Sequence, residues 1–359
     1  MRIPTEPIGS IPRPSGLIAA ITSPTDGADL KSLYDKATSD TLGEFEKTGS
    51  PVITDGEQSK SSFVTYPLEG LSNLTAEGLK INFEDGHFRQ LPLLTSGPFK
   101  YGNYAVKYLA AAQKQTSIPV KQAIISASAL SLIYPQNGID GYSQAEFIED
   151  LVNECEKDIR QCLDHGAYKV QMDFTEGRLS LKLDPSGGVL KYFIDLNNRV
   201  FNRFTGEEQQ KLGVHVCPGG DHDSTHSADI DYADFLPLLF DLNVGSFYLQ
   251  LASEPDRIKV LKTIKQYLKP NQTAFIGVID VLNPAIETKE QVRDRVLEAA
   301  AYLPLNQLGT TDDCGFSPFC DDVSTSREAA FAKIKARIEG TKLAGEELFS
   351  ENLNVTLNA

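Results

Sequence analysis

The sequence predicts an α/β protein built as a (β/α)8 barrel (the TIM barrel) with an N-terminal extension. Eight short β-rich runs recur along the 359 residues, and most of them are followed by a stretch with helical periodicity. Strands that alternate with helices indicate βαβ units and a parallel sheet, and eight such units in one chain favour a closed barrel. The predicted strands are 51–55, 91–95, 122–126, 168–173, 212–217, 246–250, 274–280 and 308–313.

Three of the intervening stretches, 143–165, 288–302 and 326–344, carry the clearest helical pattern. In the first of them every fourth residue from Phe147 onward is apolar, which places these side chains on one stripe of a helix. Each stretch begins with a Ser or a Thr, the residues that cap helix N-termini by accepting a hydrogen bond from the first turn. We therefore predict a helix in each of these stretches.

Composition and the lack of any linker favour a single soluble domain, 1–359, in which residues 1–50 pack on the barrel as an extension. The formal net charge of −15 argues against a nucleic-acid or anionic-membrane partner. The chain contains no run of about 18 or more apolar residues, so no membrane-spanning helix is predicted. The N-terminus lacks the apolar core of a signal peptide. Five cysteines in a chain of this length do not make a disulfide framework. We expect a reducing, cytoplasmic compartment, and the oligomeric state stays open.

Polar side chains stand at the ends of the predicted strands. In a TIM barrel the active site lies at the C-terminal mouth, so polar residues at strand ends are typical of binding or catalysis. The first strand ends in Asp55 with Glu57 just beyond it, the fourth ends in Asp173 and the seventh in Asp280. We predict that Asp55, Glu57 and Asp173 bind substrate and that Asp173 and Asp280 are catalytic. Arg13, between two prolines, suits a substrate carboxylate or sulfonate, although a solvated arginine fits the pattern equally well.

His215, Cys217 and Cys314 are the strongest chemical signal in the chain. His215 and Cys217 are two residues apart on a predicted strand, so their side chains point to the same face, and Cys314 follows the last predicted strand. Imidazole and thiolate suit tetrahedral zinc, and a catalytic zinc needs three protein ligands and one open position. An isolated His-x-Cys pair is more typical of a buried core. The position of all three residues on one rim favours a zinc site instead.

A set of motifs, taken in their order along the chain, resembles the catalytic barrel of cobalamin-independent methionine synthase, within the uroporphyrinogen-decarboxylase/methionine-synthase-like superfamily. The resemblance covers nearly the whole chain. In that family a zinc held by His, Cys, Glu and Cys binds a substrate thiol, and the resulting thiolate attacks an alkyl donor. The motifs are Ile8-Gly9-Ser10 with Pro12-Arg13, Thr54-Asp55-Gly56-Glu57, Lys169-Val170-Gln171-Met172-Asp173, His215-Val216-Cys217, Gly277-Val278-Ile279-Asp280 and Asp313-Cys314-Gly315.

The resemblance implies a role for each matched residue of the metal site. His215, Cys217 and Cys314 match three of the zinc ligands, and Gln250 stands where the family has its Glu ligand. An amide oxygen is a poorer ligand than a carboxylate, so either Gln250 or water completes the zinc shell. The loss of one carboxylate makes the site more positive and zinc a stronger Lewis acid.

The resemblance is closer on the thiol side than on the donor side. Ser10 and Asp173 match groups that hold the substrate amino acid, Ser10 by its backbone and hydroxyl and Asp173 by its charge on the amine. The family's general acid, a His after the seventh strand, is replaced by Leu282. The Trp on which the family stacks folate has no counterpart, because this chain contains no Trp.

The sequence therefore predicts a zinc-dependent S-methyltransferase or alkyltransferase that takes a small-molecule thiol and an alkyl donor. Homocysteine and methyltetrahydrofolate are what the family implies, with an altered donor site. Three alternatives stay open: an enzyme that transfers an epoxide to a thiol, a zinc lyase or hydrolase, and a binding protein without catalysis. His222 and His226 would share a face if their loop forms a helical turn. This loop is expected either to cap the next helix or to bring His222 and His226 into contact with a metal ligand or with substrate, and the pattern is compatible with both.

Overall fold

The structure is a computed structural model that describes residues 2–23 and 29–357. The helices are α1 (Ser15–Thr22), α2 (Leu30–Thr48), α3 (Val106–Gln113), α4 (Ala127–Ser131), α5 (Gln144–Asp164), α6 (Glu176–Leu183), α7 (Gly188–Phe201), α8 (Gly206–Gln209), α9 (Tyr232–Leu239), α10 (Arg257–Tyr267), α11 (Lys289–Ala300) and α12 (Arg327–Leu357). The strands are β1 (Leu74–Thr75), β2 (Lys80–Asn82), β3 (Phe88–Gln90), β4 (Leu93–Leu94), β5 (Gln122–Ile125), β6 (Val170–Asp173), β7 (Leu212–Val216), β8 (Gly220–Asp221), β9 (Ser224–Thr225), β10 (Ser246–Leu249), β11 (Thr273–Gly277) and β12 (Leu308–Thr311).

Six strands form the central sheet, in the spatial order β12-β11-β10-β7-β6-β5. Every neighbouring pair is parallel, and each strand overlaps a run that the sequence predicts. All positions of these strands are buried except the first residue of β11. Parallel strands that are covered on both faces are typical of α/β proteins with crossover helices.

The N-terminal half of the chain closes the two edges of this sheet into a barrel. Thr5 forms a parallel bridge with Thr310 of β12, and Ile53 forms one with Val120, just before β5. The two edge segments then meet each other, because the amide of Ile11 donates to the carbonyl of Gly56 over 3.0 Å. Eight barrel positions result, and the predicted (β/α)8 fold class is confirmed.

The assignment of strands to those positions needs two corrections. The residues around Thr5 occupy the first barrel position, so the N-terminal segment is part of the barrel wall and not only an extension packed on it. The predicted barrel strand at 91–95 is wrong, because β4 pairs antiparallel with β1 in a separate two-stranded sheet. A short apolar run does not indicate whether it will form a barrel strand or a hairpin strand, because both kinds of strand bury apolar side chains.

The three predicted helices are present as α5, α11 and α12. Ser143 caps α5 through a reciprocal pair of hydrogen bonds with Glu146, and Thr288 caps α11 in the same way. Cys155 and Cys162 are buried on α5, in the hydrophobic core. Among the described residues, no helix is both long enough and apolar enough to span a membrane.

Two small hairpins pack together beside the barrel rim. The β2–β3 hairpin contacts the β8–β9 hairpin, where the amide of Glu84 donates to the carbonyl of Thr225 over 3.0 Å. Arg89 of β3 forms an ion pair with Asp221 of β8. His222 lies in the turn of the second hairpin with a positive φ of 47°, so His222 and His226 do not lie on one helical turn.

Candidate metal and substrate site

The carboxyl ends of the barrel strands surround a small cavity of about 30 Å³. These ends meet because all strands of a parallel barrel point the same way, which makes this rim the usual place for an active site. A second cavity of about 260 Å³ borders the first and shares four of its lining residues. The small cavity is lined by Ile8, Ser10, Glu57, Phe63, Asp173, Thr175, His215, Cys217, Gly219, Gly220, Cys314, Gly315 and Pro318.

The structure brings the three predicted metal ligands together. One ligand atom each from His215, Cys217 and Cys314 lies within 4.8 Å of the others. His215 is on β7 and Cys217 directly follows that strand, so period-2 alternation turns both side chains to the same face. The Sγ atoms of Cys217 and Cys314 are 3.0 Å apart, well beyond the roughly 2.05 Å of a disulfide bond, and both cysteines are free.

His215 is buried, and neither of its ring nitrogens forms a hydrogen bond of good geometry with any described residue, although one of them lies close to the Cys217 sulfur. An unpaired buried polar group costs about 1–3 kcal/mol, so native structures rarely keep one without a reason. Coordination of a metal ion by one nitrogen would supply such a reason. The donor set of one imidazole and two thiols, at this separation, fits a zinc ion.

The two sulfurs and the imidazole also shift one another's protonation. The hydrogen bond between the two sulfurs lowers the pKa of Cys217 well below its ordinary value and raises the pKa of Cys314. Burial opposes a charged imidazole, but the Cys217 thiolate outweighs it and raises the pKa of His215. The Cys314 sulfur and the imidazole therefore both favour the thiolate of Cys217, the form of cysteine that binds metals.

Gln250 directly follows β10, whose neighbour in the sheet is β7. Leu249 pairs with Val216, so continuing the register by one residue sets Gln250 beside Cys217, with both side chains on the same face. Its Nε2 donates to Ser253 Oγ over 2.8 Å, whereas its Oε1 is buried without a hydrogen-bond partner. The predicted fourth ligand thus offers one unpaired oxygen.

Three of the predicted substrate-binding residues line the same cavity: Ser10, Glu57 and Asp173. Burial raises the pKa of the Asp173 carboxyl, while His215 and a hydrogen bond from Gln171 partly offset that effect. Burial likewise raises the pKa of Glu57 to about 7, and its Oε2 has no hydrogen-bond partner. The cavity that holds the metal cluster therefore also presents two carboxyl groups in an environment that disfavours their charge, and Asp173 lies directly beside His215 in the sheet.

Arg13 and Asp280 have contacts that favour structural roles. Arg13 is buried and not solvated, and its two terminal nitrogens donate to four backbone carbonyls, which leaves neither for a substrate anion. The Asp280 carboxylate accepts from the amide of Leu282 over 3.1 Å, a contact that shapes its own loop. Asp55 is buried. None of the three is among the residues that line the small cavity.

Comparison with known proteins decides the family. Residues 3–336 match the model of the cobalamin-independent synthase catalytic domain. This match covers most of the chain and includes every residue of the cavity described above. The chain belongs to this family.

Relatives with similar sequences include two proteins named methionine synthase. The chain is 24% identical to the methionine synthase of Sulfurisphaera tokodaii over 363 aligned residues, which cover 99% of this chain and 96% of that protein. It is 22% identical to the methionine synthase of Saccharolobus solfataricus, over 98% of each chain. The protein is thus an enzyme of a methionine-synthase-like methyltransferase family, and a divergent member of it.

Solved structures agree on the fold. A B12-independent methionine synthase from a Shewanella species, in complex with selenomethionine, superposes with a TM-score of 0.77 at 20% identity, over 98% of this chain and 100% of that one. A putative vitamin-B12-independent methionine synthase from Listeria monocytogenes gives a TM-score of 0.69 at 18% identity, over 95% and 98% of the two chains. The barrel of this synthase family is therefore retained in the present chain.

Several residues that line the two cavities of this barrel could not be identified as site residues from the sequence. Phe63, Thr175 and Pro318 line the small cavity, and each lies in a loop beyond a barrel strand. Thr175 is two residues past Asp173, and that proximity to a strand end is the one sequence clue that could have indicated it. His226 lines the larger cavity, where burial lowers its pKa to about 4 and keeps the ring neutral.

Proposed function

We propose that the protein is a zinc-dependent S-methyltransferase or S-alkyltransferase that activates a small-molecule thiol. The observation that carries the proposal is the cluster of His215, Cys217 and Cys314, whose ligand atoms lie within 4.8 Å of one another at the barrel mouth. Two unpaired nitrogens on a buried histidine support the same conclusion. When bound there, zinc would lower the pKa of a substrate thiol and favour the thiolate, which is the nucleophile.

The side chains around the cluster suit an amino-acid thiol such as homocysteine. Asp173 lines the cavity and can accept a hydrogen bond from a substrate ammonium, which would restore the carboxylate charge that burial disfavours. Glu57 offers a second, unpaired carboxyl oxygen. Ser10, whose Oγ accepts from the amide of Ser317 over 3.2 Å, still has a hydroxyl proton to donate. The selenomethionine bound by the Shewanella relative agrees with this choice of substrate.

The alkyl donor would occupy the larger cavity. Phe63, Phe83 and Phe319 line it, so a planar or apolar donor could pack against rings there. Leu282 lies near the boundary between the cavities, 3.7 Å from the position of a Cβ on Gly220, and it has no proton to give. We propose that methyltetrahydrofolate is not bound as the family implies, and that a different donor is used.

Five free cysteines support a reducing, cytoplasmic location.

Metal analysis and a thiol titration test this function. We expect about one zinc per chain after purification without chelator, and loss of most of it in Cys217→Ser. Cys320→Ser is the matched control, because Cys320 is a half-buried free cysteine outside the cluster, and it should keep its zinc. If Cys217→Ser and Cys320→Ser retain the same zinc as the wild type, the metal site is not where we propose it.

Cobalt substitution then separates a thiol transferase from the other functions. Addition of homocysteine to the cobalt protein should strengthen the sulfur-to-cobalt charge-transfer band, because a further sulfur enters the coordination shell. Serine, which has a hydroxyl in place of a thiol, is the control ligand. A cobalt protein that responds to no thiol in a panel would favour a zinc lyase, a hydrolase or a binding protein.

A further inference from the structure

The Asp313 side chain reaches across the sheet to hold the loop that carries Gln250. Its Oδ1 accepts from the amides of Leu251 and Ala252, each over 2.9 Å, and its Oδ2 accepts from the amide of Ser253 over 2.8 Å. Asp313 follows β12 and this loop follows β10, so the carboxylate has to pass over β11, which lies between them. The contact is therefore long-range and joins the ends of two barrel strands that are not neighbours.

A glycine makes this crossing possible. Gly277 is the last residue of β11, and a Cβ built on it would come within 1.9 Å of Asp313 Oδ1. No side-chain carbon can be tolerated at that distance, so the carboxylate occupies the space that any other residue at position 277 would fill. Gly277, Asp313 and the loop after β10 therefore form one interlocked unit.

The same unit determines which end of the Gln250 amide faces the metal cluster. Ser253 Oγ donates to Asp313 Oδ2 over 2.6 Å. A hydroxyl has only one proton, so the Ser253 oxygen is left as an acceptor, and only the NH2 end of Gln250 can bind to it. That bond is present, at 2.8 Å, and it turns Oε1 away from Ser253. The hydrogen-bond network thus assigns the two ends of the amide, which are otherwise hard to distinguish.

Among the described residues, no group donates a hydrogen bond to the oxygen that is turned away. Gln250 Oε1 is buried and unpaired among the described residues, and the last pair of the register, Leu249 with Val216, would set Gln250 beside Cys217 when continued by one residue. An amide presents either an oxygen, which can bind a cation, or an NH2 group, which cannot. A flip of this amide would replace a potential ligand with a group that repels the ion.

We propose that Ser253 and Asp313 are positioning residues that lock the Gln250 amide with its oxygen toward the metal, which makes Gln250 a neutral fourth ligand. This inference rests on the proposed metal site and adds to it the device that orients one ligand. Neither residue binds the metal itself. Their effect reaches it through the Gln250 side chain, as hydrogen-bonded partners of metal ligands commonly do.

A double-mutant cycle on zinc affinity, measured by competition with a chromogenic chelator, tests the proposal. Ser253→Ala frees the amide to rotate and should weaken zinc binding about tenfold, the lower end of the range for such partners. Gln250→Glu puts two equivalent oxygens at the same position, so orientation no longer matters there. The same Ser253→Ala change made in the Gln250→Glu protein should therefore leave zinc affinity within about twofold. Thr263→Ala on α10 is a control for the loss of an unrelated hydroxyl.

Gly277→Ala provides an independent variant. Its methyl group should displace the Asp313 carboxylate and weaken zinc binding at least as much as Ser253→Ala, with the effect again reduced in the Gln250→Glu protein. An equal loss in both backgrounds would mean that Ser253 acts only on folding, and would overturn the positioning role. If Ser253→Ala keeps wild-type affinity while Cys217→Ser loses zinc, only the amide lock is wrong. If Cys217→Ser also keeps its zinc, the proposed metal site is wrong and the lock with it.

Discussion

The two ends of the barrel interior are both polar, but they differ in how their polar groups are paired. At the N-terminal end, Glu6 accepts from Lys169 Nζ over 2.9 Å and from the Tyr248 hydroxyl, and Lys121 donates to Gln171 over 2.7 Å. At the C-terminal end, both nitrogens of His215, Oε1 of Gln250 and Oε2 of Glu57 have no hydrogen-bond partner.

The difference in hydrogen-bond pairing indicates that the groups at the N-terminal end stabilise the fold and that the groups at the C-terminal end bind a ligand. Pairing and hydrogen bonds offset part of the desolvation cost of these charges, although burial still lowers the pKa of Lys121 to about 7, so the N-terminal cluster can persist for structural reasons alone. Unpaired buried polar atoms lower the free energy of unfolding, so a group of them around one cavity favours a role in binding a ligand. The contrast matches the general division of a TIM barrel into a stabilising end and a catalytic end.

Glu6→Gln should have the largest effect on folding. It removes the negative charge between the partly buried Lys169 and the fully buried Lys121, so we expect the free energy of unfolding to fall by about 3 kcal/mol. Urea denaturation measures this loss, and zinc per folded molecule should not change. The exposed pair of Glu44 and Lys47 supplies the control, since Glu44→Gln should cost less than about 0.5 kcal/mol. Zinc loss from folded Glu6→Gln would contradict the proposed separation of the two ends.

Glu57→Gln should change how stability depends on pH. Burial raises the pKa of Glu57 to about 7, so between its unfolded pKa of 4.5 and that value the folded state holds a proton that the unfolded chain has lost. The Glu57 contribution to stability is therefore complete below pH 4.5 and is lost as the pH rises toward 7, by up to about 3 kcal/mol. The variant lacks this loss, so its stability relative to the wild type should increase across that range. Urea titrations at several pH values from 4.5 to 8 would show a constant difference if Glu57 has an ordinary pKa.

His215→Leu should separate stability from function most clearly. Leucine fills a similar volume without nitrogens that need partners, so in the presence of chelator the free energy of unfolding should stay level or rise by about 1–2 kcal/mol. Zinc binding and activity should both be lost. The measurements are urea denaturation of the metal-free proteins and metal analysis. A variant that is much less stable than the metal-free wild type would mean that His215 has a structural role.

Gln250→Glu should have the smallest effect, and in opposite directions on binding and catalysis. The added carboxylate is a stronger ligand than an amide, so zinc should resist a chelator about tenfold better. The charge also makes the metal a poorer Lewis acid and fills a position that substrate would need, so the native activity should fall. Chelator competition and turnover with the native thiol measure the two effects. If neither quantity changes, the end of β10 does not face the metal.

The sequence was sufficient for much of the fold because buried strands have a local signature. Six of the eight predicted runs overlap strands of the central parallel sheet, and the capped helices begin within a residue of their Ser or Thr. The barrel position at Thr5 was missed because prolines flank it and only an isolated bridge is formed there. The run at 91–95 was misassigned because hairpin and barrel strands look alike over so few residues.

For the site, the sequence by itself determined which groups could bind a metal. Period-2 alternation is a property of any strand, so it already sets His215 and Cys217 on one face, and strand ends in a barrel share one rim. Which buried groups are paired was decided only by tertiary structure. The four carbonyls around Arg13 and the crossing of Asp313 over Gly277 come from segments far apart in the chain. Such contacts depend on how the strands are placed next to each other, and no local pattern of residues encodes that.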